Sequence, residues 1–99
     1  MNREIIIRKA ILTYGAKAQM MMCIEEAAEL IQAINKYFRA TKGNCNSLDK
    51  AYWNLAEEIA DVQIMIEQMR IIFGKDVIDM KVKEKLCRLE TRMREEQMI

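Results

Sequence analysis

Two short acidic stretches carry the chemistry available to this chain. Glu25-Glu26-Ala27-Ala28-Glu29-Leu30 and Glu57-Glu58-Ile59-Ala60-Asp61 each set two carboxylates three residues apart, Glu26/Glu29 and Glu58/Asp61, in otherwise apolar surroundings. On an α-helix, residues three apart lie on neighbouring turns of one face. Two such helices side by side bring at least four carboxylates together. That many negative charges share a partly buried space only by protonating or by holding cations. The ligand type points to Mg²⁺, which binds through a few carboxylates together with substrate phosphates.

A single acidic pair on an amphipathic helix is ordinarily a solvated face, since Glu is a strong helix former. Two features weigh against that here. The pair occurs twice, each time directly preceded by a further acid, Glu25 or Glu57. Each pair also sits beside small residues, Ala27-Ala28 and Ala60, which allow close helix approach.

The elements that must position these acids read as four helices. Residues 2–14 supply an apolar face through Ile5, Ile6, Ile7, Ala10, Ile11 and Tyr14, with Asn2 as cap and Gly15 as break. Residues 16–40 form a long second helix, with Ile24, Ala27, Ala28, Ile31, Ile34 and Phe38 along one face and Leu30, Ala33 and Tyr37 beside it. A helix apolar nearly all round is expected to be buried. Residues 41–46 read as a loop containing Gly43, Asn44 and Asn46. Ser47 is the expected N-cap of a third helix over 48–72, whose stripe Leu55, Ile59, Val62, Ile66, Met69 steps by four and three. Gly74 closes it, and Asp76 opens a last helix to Glu96 with the stripe Ile78, Val82, Leu86, Leu89, Met93. The short connections predict antiparallel neighbours in one all-α domain over residues 1–99.

Composition narrows the alternatives. The 99 residues are 52% hydrophobic and 31% charged, which favours folding over disorder, while a domain this small gains from association. A net charge of +1 gives no argument for nucleic-acid or membrane binding. Absence of proline fits uninterrupted helices, and nine methionines suit irregular core and interface gaps. Cys23, Cys45 and Cys87 show no close pairing, so a disulfide framework or zinc site is not expected and a reducing, cytoplasmic setting is. Without histidine, His-based catalysis and the di-iron Glu-x-x-His bundle are excluded. Charges at Arg3, Glu4, Arg8 and Lys9 interrupt the N-terminal apolar cluster, which reads as neither signal peptide nor membrane span.

The two acidic motifs and their spacer resemble the MazG-like all-α nucleoside triphosphate pyrophosphohydrolases. The likeness extends through Tyr14-Gly15-Ala16-Lys17-Ala18-Gln19, the run from Glu25 to Ile34 and Glu57-Glu58-Ile59-Ala60-Asp61-Val62, and loosely over residues 4–93. The resemblance implies an antiparallel four-helix bundle that associates as a homodimer or homotetramer. It implies that Glu26, Glu29, Glu58 and Asp61 hold Mg²⁺, with Mn²⁺ as a substitute, and that Glu25 and Glu26 are the catalytic acids, Glu25 lying behind the ligands or orienting the attacking water. The implied reaction cleaves a (d)NTP to a nucleoside monophosphate and pyrophosphate as nucleotide-pool housekeeping.

Phosphate donors are sought in the basic row Lys81, Lys85, Arg88 and Arg92, for which the competing explanation is a solvated face near a helix C-terminus. Gln19 is placed to reach a base edge. Phe38, Tyr52 and Trp53 are stacking candidates, although such aromatics are more often core. Cys23 and Cys87 read as core filler. The alternative from a different class is a non-enzymatic helical oligomerisation or interaction module, in which the acids are incidental.

Overall fold

Local capping chemistry sets the helix boundaries. The computed structural model describes residues 1–43 and 45–97, apart from the side chains of Cys45 and Asn46. It contains α1 (Arg3–Tyr14), α2 (Ala16–Thr41), α3 (Cys45–Phe73) and α4 (Lys75–Gln97), with no strand among the described residues. The all-α expectation therefore holds. Asn2 caps α1 as expected, its side chain accepting from the Ile5 N–H at 2.9 Å. Gly15 and Gly74 separate helices at φ values of 90° and 112°, a conformation that side chains with a Cβ rarely adopt. Each also closes the helix before it, Gly15 donating to the Ile11 carbonyl and Gly74 to that of Arg70.

The start of α3 differs from expectation. The helix begins at Cys45, so Ser47 sits in its first turn and is not its N-cap. Cys and Asn have modest helix propensity but do not break helices, and the helix continues back through both. Asn44 of the expected loop lies outside the described residues. No helix among the described residues is long and apolar enough to cross a membrane.

The chain divides into two compact units, Met1–Met69 and Arg70–Ile99. In the first, α2 and α3 run antiparallel along a seam of heptad spacing. Steps of seven from Gln19 reach Glu26, Ala33 and Ala40, and steps of seven back from Gln68 reach Asp61, Asn54 and Ser47. The matching is physical. Gln19 bonds Gln68, Glu26 meets Asp61, and Ala40, Asn54 and Ser47 line one cavity. Heptad spacing is how two helices keep one face toward each other. α1 lies against this unit with Ile7 buried, and the Arg3 guanidinium donates to both carboxylate oxygens of Glu67 on α3.

The seam is polar. Its buried residues are Gln19, Ala33, Met65 and Gln68, while the apolar stripes expected to form the interior stand largely in solvent. Ile24, Ile31 and Phe38 on α2 are 71%, 62% and 60% exposed, and Ile59 and Ile66 on α3 are also exposed. Leu55, Val62 and Met69 are half-buried. The stripes are real helical faces, but the face α2 and α3 turn to each other is the one carrying the acids.

In the second unit Arg70 pairs with Asp79, Lys81 with Glu84 at 3.3 Å, and Arg94 with Glu90. Exposed pairs of this kind contribute roughly 0–1 kcal/mol each. Ile78 is half-buried, and Val82, Leu86, Leu89 and Met93 are exposed.

Candidate functional site

Three of the four expected ligands converge. Glu26 of α2 and Glu58 and Asp61 of α3 each present a carboxylate oxygen, and the three oxygens lie within 4.8 Å of one another. The heptad seam produces this: Glu26 stands opposite Asp61 and one turn from Glu29, and Glu29 stands opposite Glu58. Ala33 continues the seam and is almost completely buried. Its small side chain lets the backbones approach where the acids meet.

The electrostatics of this group are unfavourable without a counter-charge. Oε2 of Glu26 and Oε2 of Glu58 are shut off from solvent, and neither has a hydrogen-bond partner. An acceptor oxygen closed off without a donor is destabilising, the more so when it carries charge. Both acids titrate above the usual carboxylate range. For Glu26 the main cause is desolvation, followed by the charges of Asp61, Glu29 and Glu58. For Glu58 it is again desolvation, followed by Glu29 and Asp61, with Glu57 adding to the repulsion. Glu29 is exposed and outside the three-oxygen group, yet it lies within hydrogen-bonding reach of a proton on either acid.

Such an arrangement has two ways to relax: take up a proton, or accept a cation that replaces the missing donors. The orphaned oxygens are the features a divalent ion would satisfy, and an all-oxygen donor set is the type Mg²⁺ takes. The residues present fit the ion.

No protein-family model, characterised protein or solved structure matches this chain.

The remaining expected site residues fall elsewhere. Glu25 is exposed, beside Glu26 in sequence and outside the three-oxygen group. Gln19 is buried in the seam, where its Nε2 donates to Oε1 of Gln68 at 2.6 Å, while Gln68 Nε2 reaches Met65 Sδ at 3.8 Å. Reading a base edge would require releasing that amide from Gln68. The pair has a visible structural role instead, since a buried polar pair specifies which residues of α2 and α3 face each other. Lys85, Arg88 and Arg92 are exposed on α4 in the second unit, whereas every member of the acidic group lies in the first.

Phe38, Tyr52 and Trp53 are exposed and so belong to no core within this chain. Tyr52 and Trp53 meet edge-on, with centroids 5.3 Å apart. Cys23 is half-buried and Cys87 exposed, so Cys87 fills no core.

One cavity escaped the sequence reading. Lys36, Ala40, Ser47, Lys50, Ala51 and Asn54 line a cavity of about 320 Å³ on the same seam. The signal was present in the spacing. A heptad step from Glu29 lands on Lys36, and the same step back from Glu58 and Asp61 lands on Ala51 and Asn54.

Proposed function

We propose that Glu26, Glu58 and Asp61, completed by Glu29, hold Mg²⁺, and that the chain is a nucleoside triphosphate pyrophosphohydrolase. The observation that carries this is the pair of orphaned carboxylate oxygens, Glu26 Oε2 and Glu58 Oε2, closed off beside a third acid. The resemblance of the two acidic motifs to the MazG-like enzymes supplies the reaction.

When bound, the ion neutralises phosphate oxygens and lowers the pKa of a coordinated water. The chain's own residues do the rest. Glu26 and Glu58 present buried oxygens from opposite helices and thereby fix the site's position in the seam. Glu29, exposed on the same face one turn from Glu26, would supply the fourth carboxylate to the ion. Glu25 accepts the proton of the attacking water. That water's oxygen bonds to the α-phosphorus as the α–β bridging bond breaks, and pyrophosphate leaves with the bonding electrons. The products are a nucleoside monophosphate and pyrophosphate, consistent with clearing unwanted nucleotides from a pool in the cytoplasm.

The working form we infer is an antiparallel four-helix bundle associated as a homodimer or homotetramer. The exposed Ile24, Ile31 and Phe38 on α2 support association, because contiguous apolar surface on a small protein marks an interaction face. The same observation favours the second reading, a non-enzymatic helical interaction module. Incubation with a panel of (d)NTPs and Mg²⁺, followed by product separation, tests the enzyme. Monophosphate plus pyrophosphate is expected, and absence of turnover on every nucleotide would remove the proposal. Glu29→Gln with Asp61→Asn separates the two readings, since a module keeps its association and the enzyme loses turnover.

A further inference from the structure

The acids occupy only the middle of the α2–α3 seam. Toward the α2 C-terminus and the α3 N-terminus its character reverses. The cavity of about 320 Å³ there is lined by Lys36, Ala40, Ser47, Lys50, Ala51 and Asn54. That volume falls at the small end of ligand sites, which run roughly 300–1,000 Å³. Two ammonium groups, a hydroxyl and a carboxamide line it, with no carboxylate among its described lining residues. Among the described residues neither lysine forms an ion pair, although every other ingredient of a surface salt-bridge network is present elsewhere on the chain.

The two regions share one line of side chains. Lys36 is two turns beyond Glu29 on α2, and Asn54 is one turn before Glu58 on α3. At 1.5 Å per residue, Asn54 lies about 6 Å along α3 from Glu58, Lys50 about 12 Å from it, and Lys36 about 10 Å along α2 from Glu29 and about 15 Å from Glu26. A ligand gripped through a cation at the acidic end and carrying further negative charge would extend that charge toward Lys36 and Lys50. Lysine binds phosphate as a point charge, and hydroxyl and amide N–H groups add donors.

We propose that this cavity is the subsite for the terminal phosphates of the substrate, and hence the seat of the departing pyrophosphate. The assignment rests on the nucleotide-hydrolase reading above for the substrate, but the anion site itself does not need turnover to be detected. It also replaces Lys85, Arg88 and Arg92 as the first place to look for phosphate donors.

The test uses inorganic pyrophosphate as probe, titrated into the full chain in Mg²⁺ and followed by calorimetry, with Mn²⁺ binding measured separately by electron paramagnetic resonance. Lys36→Ala and Lys50→Ala should each weaken pyrophosphate binding about tenfold, the loss of one charge-assisted contact, while leaving Mn²⁺ binding unchanged. Lys→Arg at each position should restore most of it. Both positions are on exposed helix surface, so the variants fold, and circular dichroism checks this. Unchanged pyrophosphate affinity in both alanine variants overturns the subsite. So does a wild-type chain that binds Mn²⁺ but no pyrophosphate, which leaves the metal assignment standing. Lysine-dependent pyrophosphate binding without turnover of any nucleotide upholds the anion site and removes the hydrolase reading.

Discussion

The two sides of α2 make an instructive contrast. Toward α3 the helix carries Gln19, Glu26, Glu29 and Lys36, and two of these are partly or fully buried carboxylate or amide groups. On the opposite side it carries Ile24, Ile31 and Phe38, each more than half exposed. Polarity is inverted relative to an ordinary amphipathic helix, whose apolar stripe faces the neighbouring helix. Unpartnered carboxylates inside a seam cost stability, and exposed isoleucines forgo burial of about 1.5–3 kcal/mol each. The proposed function accounts for both by completing each face from outside the single chain, the inner one with a cation and the outer one with a second copy.

The contrast breaks most visibly on the inner face. Replacing Glu58 by Gln, or Asp61 by Asn, should lower turnover by on the order of 100-fold or more, since even groups that merely orient a ligand are worth 10–100-fold. Steady-state assay with added pyrophosphate detection measures it. Comparable rates in all such variants would make the acids a surface feature.

The outer face is tested by charge. Ile31→Glu or Ile24→Glu should weaken self-association by about 30-fold for each buried isoleucine lost, roughly 2 kcal/mol, while the helical content stays the same. Sedimentation velocity reads this out. A wild-type chain that sediments as a fully active monomer would show that the outer face needs no second copy.

The Gln19–Gln68 pair supplies a smaller test. Gln19→Ala leaves Gln68 without its buried partner and should destabilise the chain by about 1–3 kcal/mol, visible in urea unfolding. Replacing both by Leu should recover most of that loss. A base-contacting Gln19 would instead change KM with little change in stability.

The mildest effect is that of pH. Glu26 and Glu58 have raised pKa values in the folded chain, from burial first and neighbouring acids second. Folding then favours their protonated forms. That advantage is complete below the ordinary carboxylate pKa and is lost as pH rises through the raised values. The metal-free chain should therefore lose stability between acidic and neutral pH. Glu58→Gln should flatten the decline and raise the neutral-pH Tm, whereas Mg²⁺ should restore wild-type Tm at neutral pH, by about 2.7 kcal/mol at a hundredfold excess over Kd.

These contrasts also mark what could be read from the sequence. Helix number and most boundaries were legible because they rest on local chemistry: the Asn2 cap, and Gly15 and Gly74 at positive φ. The meeting of Glu26, Glu58 and Asp61 was legible because three-residue spacing fixes their common face. Which face α2 turns to α3 was not, because periodicity locates an apolar stripe without saying what covers it. That is why Ile24 and Phe38 are expected inside yet stand in solvent, and why the Gln19–Gln68 bond is not legible from the sequence. Lys36 and Lys50 were overlooked for the same reason, since each looks like an ordinary surface lysine until the heptad matching of the two helices is known.

Mn²⁺ binding to the wild-type chain and to the Glu26→Gln/Glu58→Gln double variant, measured side by side by electron paramagnetic resonance with circular dichroism confirming the fold, probes the buried oxygens themselves. Saturable binding in the wild type and its loss in the folded double variant is the expected result. Equal binding by both, or none by either, would contradict the proposal that the shut-off oxygens of these two side chains hold a cation.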